Sequence, residues 1–274
     1  MINVRILADS IAPCGKRLTT WECEYPRAIH AEVKTHRALS TNSASSRAIP
    51  VAKMIERVVT NPWIPDHIGK NQRGMQAGDQ VPEEVRQAAV DDWLYLRDEA
   101  VKTATRLMNA GIHKQIVNRV LEPWMHIVTI ISATEVGNFF GLRRHKDAEP
   151  HFQDLANAMF RTREESTPAE LEAGQWHLPL IFVDDEDWRA LDGFTIPDLK
   201  KVAVGRCCRV SYLTHSGTRA PAEDIRLHDD LIRNGHMSPT EHVAQALDIR
   251  NRSGNFRGWR QYRKTIPNEC FPEG

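Results

Sequence analysis

The chain is 274 residues long, 41% apolar and 26% charged, enough length for a sizeable core and an ordinary balance for a folded enzyme. Its 36 basic and 36 acidic residues cancel, which removes the basic excess that a nonspecific nucleic-acid binder needs. Five cysteines, an odd number without a C-x-x-C, speak against a disulfide framework and for a reduced, cytoplasmic setting.

Residues 1–34 mix short apolar pieces such as Val4–Ile6 with Pro, Gly and Thr, and Met1–Arg5 lacks the apolar region of a secretion signal. Ile29–Val33 leads, as a strand or a short helix, into a polar stretch from Thr35 to Arg47. That stretch holds two arginines, a histidine, an asparagine, four serines and two threonines, with no apolar period. Guanidinium forks with hydroxyls and an amide suit an anionic, planar, hydrogen-bonding ligand. A polar loop with helix-capping serines fits the same composition equally well.

After Pro50, the spacing of Met54, Ile55, Val58 and Val59 predicts a helix. Asn61–Asp79, rich in Pro and Gly, predicts a long loop, either a substrate lid or a disordered excursion. Pro82, Glu83 and Glu84 predict the start of a core helix carrying Val85, Ala89, Trp93, Leu96, Ala100, Ala104 and Leu107 and stopping at Gly111. A second helix is expected from His113 to Pro123 and a third onward through Phe140. The longest apolar run, Ile127–Ala133, is too short to span a bilayer. A further helix is expected over 152–160, a connector over 161–176, and a buried strand or helix end over 178–183. Asp184–Asp187 has neither the glycine nor the closing glutamate of a calcium loop and predicts a solvated acidic turn. Asp224–Asn234 reads as an amphipathic helix ended by Gly235.

The polar stretch resembles the signature of the flavin-dependent thymidylate synthases (thymidylate synthase complementing proteins), R-H-R, two residues, S-x-N-E-x-S-x-R. His36, Arg37, Ser40, Asn42, Ser45 and Arg47 match it, while Thr35 and Ser43 replace its first arginine and its glutamate. Arg119–Pro123 resembles a short arginine-to-proline motif of the family. Asn138–Arg143 resembles N-F-L-x-L-R and runs without a gap into Ala148–Phe152, where the family reads A-Q-P-E-I. Asp147 stands where a flavin-side histidine is usual, and nearby His145 reads as solvent-exposed. Arg209–Tyr212 resembles A-R-V-S-[FY] and Gly235–His242 resembles G-H-x-[ST]-P-x-E-H, motifs that precede the signature in ordinary members but follow it here. Arg257, Trp259, Arg263 and Asn268-Glu269 then fall on a partial second copy of the signature, which a circular permutation explains.

The resemblance implies an α+β fold, helix-rich around a small antiparallel sheet, permuted, in a single domain over 1–274. Its parts are the signature segment 28–50, the helical segment 82–160 and the permuted segment 205–269. It implies a homotetramer with sites between subunits. It also implies one-carbon transfer from 5,10-methylenetetrahydrofolate to C5 of dUMP, giving dTMP, with FAD as redox cofactor and the reductant, such as NADPH, left open. Arg143 and Ser45 would carry catalysis, with Arg47 and Arg119 joining them on dUMP. His36, Arg37, Asn42, Asn138, Ser211, His236, Ser238, Glu241 and Arg263 would hold FAD. No metal is implied. Water instead of hydride at the transferred carbon would give 5-hydroxymethyl-dUMP, and loss of activity would leave a nucleotide- or flavin-binding module. A nucleophilic thiol at Cys207 or Cys208, flanked by Arg206 and Arg209, is the weaker chemical alternative.

Overall fold

The computed structural model describes residues 2–210, 220–267 and 269–270. Its centre is a five-stranded sheet in the order β3-β4-β2-β1-β5. The chain enters as a long hairpin, β1 (Asn3–Ile11) and β2 (Arg17–Pro26), where the sequence showed only short apolar pieces. A slip in register between Ile6 and Ala8 breaks the alternation that would have announced β1. A single helical turn, α1 (His30–Lys34), leads to β3 (Ser40–Ser43), which pairs antiparallel with β4 (His126–Ala133). β2 flanks β4 on its other side, also antiparallel.

β4 corrects the expected helix through this region. All eight of its residues are buried. A strand covered on both faces shows a continuous apolar run rather than alternation, so its period could not separate it from a helix. One face packs Ile127 and Ile131 with Trp21, Tyr25, Phe139, Phe152, Leu155 and Met159. Those last four come from α5 (Gly137–Arg143) and α6 (Pro150–Glu165). The other face packs Val128 and Ile130 against Cys207 and Val210. Past α6, the expected connector contains β5 (Ala169–Glu170), which joins the sheet parallel to β1, and β6 (Trp176–His177).

The predicted α2 (Val51–Thr60) and α3 (Glu83–Asn109) are present, followed by a short α4 (Lys114–Val117). Only the second half of α3 is core: Ala100 and Ala104 are buried, whereas Val85 and Leu96 are exposed. Trp93 joins α3 to its neighbours, donating to Trp63 O (2.9 Å) while its own carbonyl accepts from Trp124 (3.0 Å).

The acidic turn is also different from expectation. It opens α7 (Asp185–Ala190), and Asp187 is fully buried. Arg206, on α8 (Ile196–Arg209), grips both Asp187 oxygens at 2.7 and 2.9 Å and reaches Asp224 at 3.3 Å. Asp224 belongs to α9 (Pro221–Arg233), the predicted amphipathic helix. At Gly205 a Cβ would stand 2.4 Å from Asp224 O, so glycine permits this close helix contact. The undecided 178–183 piece is a turn with Leu180 and Phe182 at positive φ (63° and 55°), held by a bond from Arg206 to Leu180 O. The chain closes with a helical turn, Ser238–His242, then β7 (Ala244–Ala246), β8 (Arg252–Ser253), β9 (Phe256–Arg257) and β10 (Trp259–Gln261). β7 lies between β10 and β6 in a second sheet.

Replacing Arg206 by alanine leaves the buried Asp187 carboxylate without its cation, while Asp224 keeps Arg209. The expected loss is about 3–5 kcal/mol of stability, read as a lower denaturant midpoint.

Candidate active site

Arg143 closes α5, and His36 stands one turn beyond α1. The Arg143 Nε donates to His36 Nε2 at 2.8 Å, so the imidazole is an acceptor there and neutral. Burial, and then the arginine's own charge, lower the His36 pKa below its ordinary value. The His36 ring meets Phe139 and Phe152 edge-on, and the guanidinium lies over Phe152, 4.6 Å from the ring centre. Glu32 Oε2 stands 3.8 Å from Arg143 Nη1. The guanidinium is thus oriented from three sides and keeps terminal N–H groups to spare.

Those groups face a cleft of about 820 Å³. One wall is the turn from α5 to α6, including Lys146, Asp147 and Glu149. The other is an arm over 68–81. The expected loop is ordered into that arm by bonds between Lys70 and Asp79, Gly78 and Lys70, and Val81 and Ile68. Asp66 N anchors its root on His151 Nε2 (3.1 Å), and Gln76 Nε2 touches Asp147 O at 3.5 Å.

A second group forms around β3. Asn42 is buried; its amide donates to Cys207 O (2.9 Å) and its carbonyl accepts from the exposed Ser238 hydroxyl (3.3 Å). Ser40 accepts from Gln261 and Asn255 at 3.0 and 3.1 Å. The structure therefore brings the first and last thirds of the chain together at β3. Glu241 holds Arg263 at 2.7 Å, and Glu269 lies 3.3 Å from the same arginine. Arg37 and His236 are exposed, as is Asn138 on the first turn of α5. His242 is buried; its Nδ1 is bonded to Ser132, and its Nε2 has no hydrogen-bond partner. Ser211 lies outside the described residues.

A third group is the turn after β3. Asn118 donates to Ser46 O and Ile49 O at 2.6 and 2.9 Å. Glu122 gathers Ser46, Arg27 and, at 3.9 Å, Arg119. Ser45 is half-buried, and Arg47 and Arg119 are exposed. Among the described residues no hydrogen bond or ion pair joins Arg47 or Arg119 to Arg143.

Ser43, in place of the signature's glutamate, accepts from Thr129 (3.1 Å), which accepts from the Tyr25 hydroxyl (3.0 Å). Asp147 is exposed, 3.4 Å from His145. Burial raises both adjacent thiols, Cys208 to about 11 and Cys207 further, which removes the thiolate a nucleophile needs. Among the described residues no three His, Cys, Asp or Glu side chains are placed to hold a metal, and no helix is long and apolar enough to cross a membrane. Sequence reasoning missed Glu32. Its signal was the four-residue spacing to His36, which a helical turn places on one face.

The fold is α+β, and it presents an oriented guanidinium in a polar cleft. The sequence profile of the thymidylate synthase complementing proteins matches residues 17–169, more than half of the chain, and the chain belongs to that family, enzymes of the methyltransferase type. The fold is shared with the UMP/dUMP methylase PolB from Streptomyces cacaoi. The structure bound with 5-Br UMP gives a TM-score of 0.52 at 15% identity, over 60% of this chain and 89% of that one. The structure bound with 5-Br dUMP gives 0.50 at 15%, over 60% and 90%. No curated protein matches by sequence.

Because the His36 pKa is depressed on folding, the unfolded chain takes up this proton first as pH falls. The stabilising contribution is present above the ordinary histidine value, about 6.5, and is lost as pH falls from there through the lowered value. His36→Gln keeps an acceptor for Arg143 without a titrating ring. The difference between the two proteins in urea unfolding is expected to be constant above neutral pH, where it reflects the ring's packing, and to change on acidification, with the wild type losing more.

Proposed function

We propose that the chain transfers a one-carbon unit from methylenetetrahydrofolate to C5 of dUMP, giving dTMP. The observation that carries this reading is Arg143, oriented by His36, Phe152 and Glu32 at the wall of the cleft, in a member of this family. Guanidinium donors fixed in advance stabilise the negative charge that develops on a pyrimidine carbonyl when C5 becomes nucleophilic. Arg143 holds the ring and its charge, and Ser45 supplies a hydroxyl to the bound nucleotide. The exposed Arg47 and Arg119 meet the phosphate. That PolB binds halogenated UMP and dUMP supports a pyrimidine nucleotide as the ligand of this fold.

The donor set around β3 fits a flavin dinucleotide. The exposed Arg37, His236 and Asn138, with Ser238 beside Asn42, offer charge and hydrogen bonds for a diphosphate and a ring edge. Arg263, already engaged by two glutamates, serves by shaping the Glu241 turn rather than as a free cation. FAD would supply the redox step when bound. In this reading the chain is one domain of circularly permuted order, and neighbouring copies in a tetramer bring Arg47 and Arg119 to Arg143. NADPH is a candidate reductant, and a cytoplasmic location supplies it with the folate.

The test is mass spectrometry of nucleotide after incubating reduced, FAD-loaded protein with dUMP and methylenetetrahydrofolate. A methyl gain supports the reading, a hydroxymethyl gain assigns the sister reaction, and bound nucleotide without turnover identifies a binding module. Arg143→Gln is expected to lower turnover by roughly a hundredfold or more, since one stabilising donor commonly contributes that much.

A further inference from the structure

His151 engages a different kind of partner on each ring nitrogen. It lies in the first turn of α6 and is buried. Its Nδ1 meets Glu149 Oε1 at 2.6 Å, while the other oxygen of that carboxylate accepts from Phe152 N at 2.7 Å. Its Nε2 accepts the Asp66 N–H at 3.1 Å. A ring that accepts at Nε2 and faces a carboxylate at Nδ1 carries its hydrogen on Nδ1 and is neutral. The Asp66 bond is one of two hydrogen bonds that fasten residues 66–81 to the rest of the protein among the described residues; the other is the 3.5 Å touch of Gln76 on Asp147 O. The segment's remaining bonds, such as Lys70 with Asp79 and Ile68 with Gln80, close on itself. The arm that walls the Arg143 cleft is thus held at its root by one imidazole lone pair. At positions 149 and 151 the family motif reads Gln and Glu, so the pair belongs to this chain.

We propose that His151 is the positioning residue of the arm, and that protonation at its Nε2 releases residues 66–81 and opens the cleft beside Arg143. With the arm in place, a proton on Nε2 would confront the Asp66 N–H, donor against donor, and the bond would be lost. With the arm drawn back, that proton meets water. Proton uptake and arm closure therefore compete for one lone pair, and each weakens the other by the same factor. The charges around the ring favour the proton: Glu149 just before α6, Asp154 on α6 and Asp66 at the arm root. Arg144 and Arg161 oppose it from the cavity of about 500 Å³ that they line with His151, Asp66 and Asp154. Burial pulls the His151 pKa down, but Glu149, and then Asp66 and Asp154, raise it above the ordinary value. The release depends on how the arm is attached and not on which ligand the cleft takes.

The test is hydrogen exchange of the full chain, read by mass spectrometry with fragmentation that resolves the Asp66 amide, between about pH 8 and pH 6. Each rate is divided by its value for an unstructured chain at the same pH. In the wild type the opening constant is expected to rise roughly tenfold over that range, since one proton taken up on opening changes it by up to tenfold per pH unit. H151Q keeps an acceptor for the Asp66 N–H and takes no proton, so its Asp66 protection is expected to be independent of pH. H151F has no acceptor, and its Asp66 amide is expected to exchange faster and equally at every pH. E149Q keeps an oxygen for Phe152 N and removes the charge that favours the imidazolium, which moves the rise to lower pH. Unchanged protection of the β4 amides in each variant shows that the sheet is intact. A flat wild-type profile, or a rise of the same size in H151Q, overturns the proposal. Neither result touches the one-carbon-transfer reading, which the nucleotide assay decides.

Discussion

The structure depends on two hydroxyls that face each other across β2 and β4. Thr20 and Ser132 meet at 2.7 Å in the interior of the sheet. From Thr20 the bonding continues to His177 Nε2 (2.8 Å), whose Nδ1 meets Ser10 (2.9 Å). From Ser132 it continues to His242 Nδ1 (2.9 Å). Every member is buried. Burial pushes both imidazoles down to about 3, so they are neutral and the chain carries no charge through the core. A buried polar network is stabilising only when its members satisfy one another. Here the bonds tie β6, from the middle third of the chain, and the Ser238–His242 turn, from its last third, to β1, β2 and β4, from its first half, with the buried His242 Nε2 left unpaired. The turn that His242 anchors on Ser132 also carries Ser238, which reaches Asn42.

The same constraint explains what could be read in advance. Ser238, Glu241 and Asn42 were legible as motif residues, because site chemistry needs particular side chains at particular spacings. Ser10, Thr20, Ser132 and His177 were not, since nothing local marks three small polar residues or a lone histidine as partners. β4 was misread as helical for a related reason. Its neighbours cover both faces, and that burial, a property of the whole fold, erases the alternation that identifies a strand. Asp187 was read as solvated because its run of acids looks like a surface. The partner that buries it, Arg206, lies nineteen residues on and is brought close by α8. α2, α6 and α9 were legible because each buries one stripe against the rest, and a stripe leaves a period in the sequence.

Arg143 and the two arginines expected beside it divide along the same line. Arg143 is held inside one chain by an imidazole, an aromatic face and a carboxylate, each from a different turn of α1, α5 and α6 or just beyond. Arg47 sits on a turn whose backbone Asn118 ties at Ser46 O and Ile49 O, and Arg119 stands 3.9 Å from Glu122, while both guanidiniums stay exposed. An exposed guanidinium beside a tied turn is available to something outside the chain. This is the arrangement expected where a second copy or a bound phosphate completes a site, which is why the proposed tetramer and the proposed nucleotide are parts of one reading.

The chemistry left to the protein narrows accordingly. Burial holds the Cys207 and Cys208 thiols above the ordinary cysteine range, which works against either as a nucleophile, and a neutral His36 already accepting from Arg143 has no free Nε2 to serve as a base at the ring. What remains is electrostatic: a guanidinium whose direction is set before any ligand arrives, so that little reorganisation is left for the reacting state.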